Sequence, residues 1–414
     1  MPPAGRLVVQ KFGGTSVADP ERIRAVADHV ARSVRRGDRA VVVISAMGKE
    51  TDELLRLASD VSSTRPGREM DMLITAGERK AMALLCMALH DVGVPAESFT
   101  GSQSGFITDT THTNAKILDV RPDRVRAAVE RGIVPVVGGA QGVSTTKDVT
   151  FLGRGGSDTT AVALAHALGA DLCELYTDVS GVFTSDPRVV PDARKMDRIS
   201  FDELLEMTAN GCPKPAMRSV EYARTHGVDL HVRSAFTWEP GTLVMIEEDD
   251  MEQAIISAVT HDTDEAKITL TGVPDRPGVA GQVFRALAGE GINVDLIVQN
   301  TSEHGVTDIS FTVPQRDAAR AEQVCRAEAP TVGAAGVQAD GAIARVSVIG
   351  AGMKTHPGVA ATVFETLAEE GINIEMISTS AIRISCVVDE AQVEQAVQAL
   401  HEAFHLHEGP AYVD

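Results

Sequence analysis

Aromatic residues are scarce in this sequence, at 4% of 414 residues, with one tryptophan and three tyrosines. That scarcity removes the stacking platform on which single-stranded nucleic acids are held. Positive charge is also short: 38 lysines and arginines stand against 58 aspartates and glutamates, a formal net charge of −20. A nucleic-acid partner needs clustered cations, so none is expected. An anionic small molecule would have to be attracted locally, by placed cations and backbone N–H groups. The five cysteines (Cys86, Cys173, Cys212, Cys325 and Cys386) are scattered and lack metal-ligand spacing. They fit reduced thiols in a cytoplasmic protein, with no metal site built from protein ligands. No run approaches about eighteen uninterrupted apolar residues, so no membrane span is expected. The opening MPPAGRLVVQ lacks the basic region and apolar core of a signal peptide.

What is present is apolar area, with 43% hydrophobic residues, in a chain long enough for two or three domains. Residues 6 to 245 alternate short β-branched runs with longer helical patterns. LVVQKF (7–12), AVVVISA (40–46), GIVPVVGG (132–139) and DLCELYTD (171–178) read as buried strands of a mainly parallel sheet. ERIRAVADHVARSVRR, MLITAGERKAMALLCMALH and SDTTAVALAHALG read as helices between them, which predicts a three-layer αβα domain. Asp19 is placed as the N-cap of the first helix, with Pro20 at its first position and Glu21 in its first turn.

The C-terminal third contains an internal repeat. GVPDRPGVAGQVFRALAGEGINVDLIVQN (272–300) matches GMKTHPGVAATVFETLAEEGINIEMISTS (352–380). Pro277, Gly278, Phe284, Leu287, Gly291, Ile292 and Asn293 recur as Pro357, Gly358, Phe364, Leu367, Gly371, Ile372 and Asn373, at one fixed offset of 80 residues. The acidic stretch 246–263 reads as a linker that also offers a strand to the C-terminal module. The predicted division is 1–245, the linker 246–263, then repeat modules at 264–335 and 342–414.

Two glycine turns carry the chemistry. In Lys11-Phe12-Gly13-Gly14-Thr15-Ser16, the glycines admit a ligand close to the backbone, and N–H groups and hydroxyls can hold phosphate oxygens. Nothing here fits the G-x-x-x-x-G-K-[ST] loop. In GRGGSDTTAVALAHAL (153–168), Ser157 or Asp158 is the expected helix cap. Free N–H groups of that helix's first turn would form an anion site, and Arg154 is placed to clamp a carboxylate. In LYTDVSGVFTSDPRVV (175–190) a strand ends at Thr177-Asp178, and a loop shaped by Gly181, Asp186 and Pro187 presents Arg188. Glu78 of AGERKAMALL lies at a helix start, where the dipole favours a carboxylate. In SAMGKETDELL, Thr51 or Asp52 is the expected helix cap.

Together KFGGTSV, SAMG..TDEL, AGER, SFTGSQSG, GRGGSDTTA, YTDVSGVFTSDPR and RSVEYAR resemble the aspartate kinases of the amino-acid kinase family, over essentially the whole chain. The resemblance implies an amino-acid kinase domain followed by two ferredoxin-like βαββαβ (ACT) modules. It implies transfer of the ATP γ-phosphoryl group to the side-chain carboxylate of L-aspartate, with Mg²⁺ held largely by the phosphates. By the same resemblance Lys11, Gly13 and Gly14 stabilise the transferring group, and Ser157 and Asp158 organise the site around Lys11. Glu78 would pair with the substrate ammonium and Arg154 with its α-carboxylate, while Ser16 and Thr51 add hydrogen bonds. Thr177, Asp178, Phe183, Asp186, Arg188 and Lys214 would line the nucleotide pocket.

Departures from the family pattern fall at Lys49, Lys80 and Ala81, at Phe183, which replaces a common tyrosine, and at Pro213-Lys214-Pro215, where the lysine is displaced. They leave two alternatives open: a kinase for a related amino dicarboxylate, or a weakly active amino-acid-sensing homologue. The paired modules imply feedback by lysine, threonine or both, with Asp275, Asn293, Asp295, Asn373 and Ser380 as candidate effector ligands. Ala381 stands where the family often has glutamate. Such modules imply a homo-oligomer or a complex with a small regulatory subunit.

Overall fold

The computed structural model describes residues 5–246, 256–299, 305–354, 356 and 358–408. Residues 247–255 of the acidic stretch and Pro357 of the second repeat lie outside them. The chain divides into two compact units: residues 1–182, 195–208 and 213–249 form the first, and 183–194, 209–212 and 250–414 the second.

In the first unit the strands run β1 (Leu7–Phe12), β2 (Arg39–Ile44), β3 (Ala96–Phe99), β4 (Phe106–Thr108), β5 (Ile117–Val120) and β6 (Val134–Gly138). They continue as β7 (Gln141–Ser144), β8 (Val149–Phe151), β9 (Leu172–Thr177), β10 (Arg198–Ser200), β11 (Leu230–Ser234) and β12 (Thr242–Met245). The helices are α1 (Pro20–Arg35), α2 (Glu50–Val61), α3 (Gly67–Ile74), α4 (Ala76–Asp91), α5 (Asp123–Glu130), α6 (Gly156–Leu168), α7 (Phe201–Ala209) and α8 (Met217–His226). Eight strands form the main sheet, in the order β10-β12-β11-β9-β1-β2-β6-β3. Every neighbouring pair in it is parallel except β11 with β12. The other four form a small sheet, β5-β4-β7-β8. The expected mainly parallel α/β sheet is therefore present.

Successive strand residues point to opposite faces, and β1 shows the consequence. Phe12 joins the apolar cluster made with Ile23, Val26, Ala27 and Val30 of α1 and Leu85 and Leu89 of α4. Lys11, one residue earlier, faces the other way and meets Asp158 of α6. Helices thus cover both faces. Asp19 caps α1 as expected, accepting the Arg22 N–H at 2.9 Å, with Pro20 at the first position. The helix expected over 72–90 is instead two, α3 and α4, which meet at Thr75. Thr75 is fully buried, and its hydroxyl donates to the Asp71 carbonyl at 2.7 Å, a back-bond that bends helices.

The second unit carries β13 (Ala258–Asp262), β14 (Glu265–Pro274), β15 (Ile297–Gln299), β16 (Val306–Pro314), β17 (Gly336–Asp340), β18 (Ile343–Ile349), β19 (Met376–Thr379) and β20 (Arg383–Asp389). Its main helices are α9 (Val279–Gly289), α10 (Ala318–Val332), α11 (Val359–Glu369) and α12 (Val393–Ala403). Two antiparallel four-stranded sheets result, β15-β16-β14-β17 and β13-β18-β20-β19. The matching helices α9 and α11 bury equivalent residues, Val279, Val283 and Leu287 against Val359, Val363 and Leu367. β13 precedes the first repeat yet pairs with β18 of the second, so the first module is inserted into the second.

One buried cation organises this unit. Arg345 of β18 is 1% exposed, and its Nη1 lies 2.5 Å from Asp295 Oδ2. Its Nη2 lies 2.7 Å from Glu265 Oε1 and donates to the Ala209 carbonyl at 3.2 Å. Removing one partner of a buried pair leaves the other charge uncompensated. Arg345→Leu is expected to cost about 3 kcal/mol, read from urea unfolding, because Glu265 stays buried; a loss below about 1 kcal/mol would contradict it.

Candidate active site

The first glycine turn follows directly from β1. Gly13 N–H donates to the Tyr176 carbonyl at the end of β9, at 3.3 Å, and a 3-10 turn then runs over Gly14–Val17. Lys11 Nζ lies 2.5 Å from Asp158 Oδ1, with side-chain exposures of 7% and 5%. A Cβ placed on Gly13 would stand 3.3 Å from Lys11 Nζ, so the ammonium rests against this turn. Burial pushes the Asp158 carboxyl up, but the Lys11 ammonium, the Ala216 N–H and the field of Lys214 outweigh it and hold it below its ordinary value. Ser16 is 2% exposed, and its Oγ is buried with no hydrogen-bond partner. A buried orphan hydroxyl beside a cation suits a polar ligand.

The second turn differs from expectation at the cap. Gly155, at φ +73°, occupies the N-cap position of α6, and neither Ser157 nor Asp158 caps it. Asp158 is instead engaged by Lys11 and by the Ala216 N–H at 3.1 Å. A side chain at 155 would be strained in the left-handed region and would meet Ala216 Cβ at 2.5 Å. The N–H groups of Gly156 and Asp158 donate to the carbonyls of Gly153 and Gly155, so fewer are free than the sequence suggested. Ser157 packs beside Gly139. Arg154 is 84% exposed and pairs with Asp52 Oδ1 at 2.9 Å.

Helices α2 and α4 supply a third wall. Lys49 holds the N-cap position of α2, so Thr51 and Asp52 lie inside its first turn rather than capping it, a second correction. Asp52 turns to Arg154, and Thr51 is half-buried. Glu78 sits in the first turn of α4, 3% exposed, and its Oε2 is buried without a partner. Burial pushes its carboxyl up to about 7, aided by the negative charge of Glu50 and partly offset by the backbone N–H groups of Glu78 and Ala46. Glu50 pairs with Lys80 at 2.6 Å.

The remaining residues separate. Thr177 closes β9, where its hydroxyl donates to Asp178 Oδ1 at 2.9 Å. Lys214 is exposed in the loop between α7 and α8, so Pro213 and Pro215 interrupt no helix or strand. Phe183, Asp186 and Arg188 belong to the second unit, where Arg188 Nη2 pairs with Asp186 Oδ2 at 2.6 Å. Among the effector candidates Asp275, Asn293, Asn373 and Ser380 are exposed, and Asp295 is committed to Arg345. Sequence reasoning missed Glu50. The only signal was the unusual Lys49-Glu50 pair, and its partner Lys80 is 30 residues away.

A buried ammonium against a glycine turn, an orphan hydroxyl and a buried carboxylate with one oxygen unpartnered make a site for positioning and charge neutralisation rather than for covalent catalysis. Comparison with known proteins agrees with this chemistry. Residues 6–234 match the model of the amino acid kinase family, and 268–328 and 346–404 match the ACT domain. The chain is 55% identical over 405 residues to an aspartokinase of Mycolicibacterium smegmatis, spanning 97% of this chain and 96% of that one. The chain belongs to the aspartokinase family. The chain superposes on E. coli aspartokinase III solved with aspartate and ADP (R-state), with a TM-score of 0.84 at 26% identity, covering 96% of this chain and 100% of that one. The same E. coli enzyme solved with lysine and aspartate (T-state) gives a TM-score of 0.74 at 26% identity, covering 96% and 99%. Among the described residues, no helix is long and apolar enough to cross a membrane.

Proposed function

We propose that the chain transfers the γ-phosphoryl group of ATP to the side-chain carboxylate of L-aspartate, giving 4-phospho-L-aspartate and ADP. The observation that carries this reading is the buried Lys11–Asp158 pair against Gly13. An aspartate carboxylate oxygen bonds to the γ-phosphorus as the bond from that phosphorus to the β–γ bridging oxygen breaks. The step creates no covalent enzyme intermediate, so placed positive charge is what the protein must supply. Lys11 supplies it, and Asp158 fixes its ammonium between the two glycine turns, with Gly13 and Gly14 admitting phosphate oxygens. Lys214, whose field reaches Asp158, adds a second cation on the same side. Glu78 receives the substrate ammonium, Arg154 its α-carboxylate, and Ser16, Thr51 and Ser157 complete the aspartate site. Thr177 and Asp178, at the end of β9, serve the nucleotide.

Among the described residues no three carboxylate, imidazole or thiol groups converge as a metal site. Mg²⁺ would be held largely by the phosphate oxygens of ATP, where it neutralises charge. The ACT modules would bind lysine, threonine or both, in keeping with the E. coli relative solved with lysine. They would pair between copies of the chain or with a small regulatory subunit. That fits a cytoplasmic enzyme at the first step toward lysine, threonine and methionine. Pairing of Lys80 with Glu50 argues against a changed acid acceptor, since it directs that lysine to a protein carboxylate.

The test is direct. Purified protein with ATP, Mg²⁺, aspartate and hydroxylamine should form aspartyl hydroxamate. Hydroxamate from another amino dicarboxylate but none from aspartate would overturn the substrate, and ATP binding without turnover would favour a sensing homologue.

A further inference from the structure

The site holds a carboxylate that the reading above leaves without a task. Glu50 opens α2, and its Cδ would stand 3.5 Å from a Cβ on Gly77, so its head group lies over the first turn of α4, beside Glu78. One oxygen is taken: Glu50 Oε1 pairs with Lys80 at 2.6 Å. The other, Oε2, is buried and has no hydrogen-bond partner, as is Glu78 Oε2. Two buried carboxylate oxygens without partners therefore flank one turn. Leaving such atoms unpaired costs stability, so they are expected to meet a donor that the folded chain does not contain.

Charge indicates which donor. Once Glu78 is ionised, Glu50 and Glu78 carry two negative charges, and Lys80, 51% exposed, returns one positive charge from the solvent side. A single ligand ammonium brings the group to neutrality and offers three N–H donors.

We propose that Glu50 is a second carboxylate for the substrate ammonium, held in position by Lys80, and that it sets specificity for an α-amino acid over its des-amino analogue. The assignment rests on the proposal that Glu78 faces the substrate amine. Lys80 anchors Oε1 and leaves Oε2 directed to the ligand. The pair Glu50–Lys80 thus strengthens the amine subsite without adding net charge to the empty site.

Steady-state kinetics of the full chain tests this. Glu50→Gln should raise the aspartate KM about tenfold, the size of one charge-assisted hydrogen bond, and move kcat and the ATP KM much less. Glu50→Asp should recover part of that loss. The double variant Glu50→Lys with Lys80→Glu restores an ion pair between the two helices but puts a cation beside the amine, so it should leave the KM raised or raise it further. A KM for Glu50→Gln within twofold of the parent would overturn the proposal, and so would recovery of the parental KM in the charge-swapped pair, which would mark a purely structural bridge. Glu78→Gln separates the two ideas. If it leaves the aspartate KM unchanged, the amine-site reading fails and takes this assignment with it; if it raises the KM while Glu50→Gln does not, only the role of Glu50 is wrong.

Discussion

Lys11→Met should lower kcat by about 10³-fold, while the KM values for ATP and aspartate move only a few-fold. The reason is where the charge is needed. In phosphoryl transfer the attacking and leaving oxygens are partly bonded at once, and the three equatorial oxygens carry the charge that the protein must stabilise. A preorganised donor aimed at that charge is worth about 10²–10³ in rate, or roughly 4 kcal/mol at the upper end. Lys11 is preorganised in the required sense: it is buried, set on a strand end, and held by Asp158 at 2.5 Å. Because the pair is buried, removing the cation alone strands Asp158, and part of any activity loss could come from destabilisation. The double variant Lys11→Met with Asp158→Asn resolves this. Removing both charges should recover much of the thermal stability lost in the single variant, as replacing whole buried pairs often does. It should recover none of the rate. If activity returns with stability, Lys11 acts only through the fold and its assignment to the phosphoryl group is wrong.

The strands and the repeat were legible because their signals are local. LVVQKF reads as a strand from its own residues, and β1 spans that stretch, Leu7–Phe12. The offset between Pro277-Gly278 and Pro357-Gly358 needs no knowledge of packing. Caps were less legible, since a hydroxyl or carboxylate near a helix start satisfies the same rule at several positions. Asp158 fits the cap pattern, but the buried Lys11 ammonium competes for it more strongly, and Gly155 takes the cap instead. The insertion of one ACT module within the other was hidden for a different reason. β13 carries no mark of the strand it joins, and β18 lies more than 80 residues away. Glu50 illustrates the limit at the site itself. Its importance lies in an oxygen left unpartnered, and that is a property of three dimensions.

The acidity of Glu78 gives the second large effect, in the pH dependence of aspartate binding. Burial, with the charge of Glu50 adding to it, pushes the carboxyl up to about 7, so in the unliganded site it is about half protonated at neutral pH. Only the carboxylate can receive an ammonium as an ion pair. The sign follows: above pH 7 the group is charged and affinity is at its plateau, and below pH 7 a proton must leave before aspartate binds. The aspartate KM should therefore rise close to tenfold per pH unit as the pH falls below 7 and level off above about 8, with kcat at saturating aspartate nearly flat. Calorimetry in buffers of different ionisation enthalpy should show about half a proton released per aspartate bound at pH 7 and almost none at pH 9. Glu78→Gln should raise the KM about 100-fold at pH 8, corresponding to roughly 2.7 kcal/mol, and should abolish both the pH dependence and the proton release. Glu50→Gln gives an independent check, because removing its charge should lower the Glu78 pKa and move the inflection to lower pH. An inflection that stays near 7 in Glu78→Gln would assign the titration to another group and sink the role of Glu78 as the ammonium's partner.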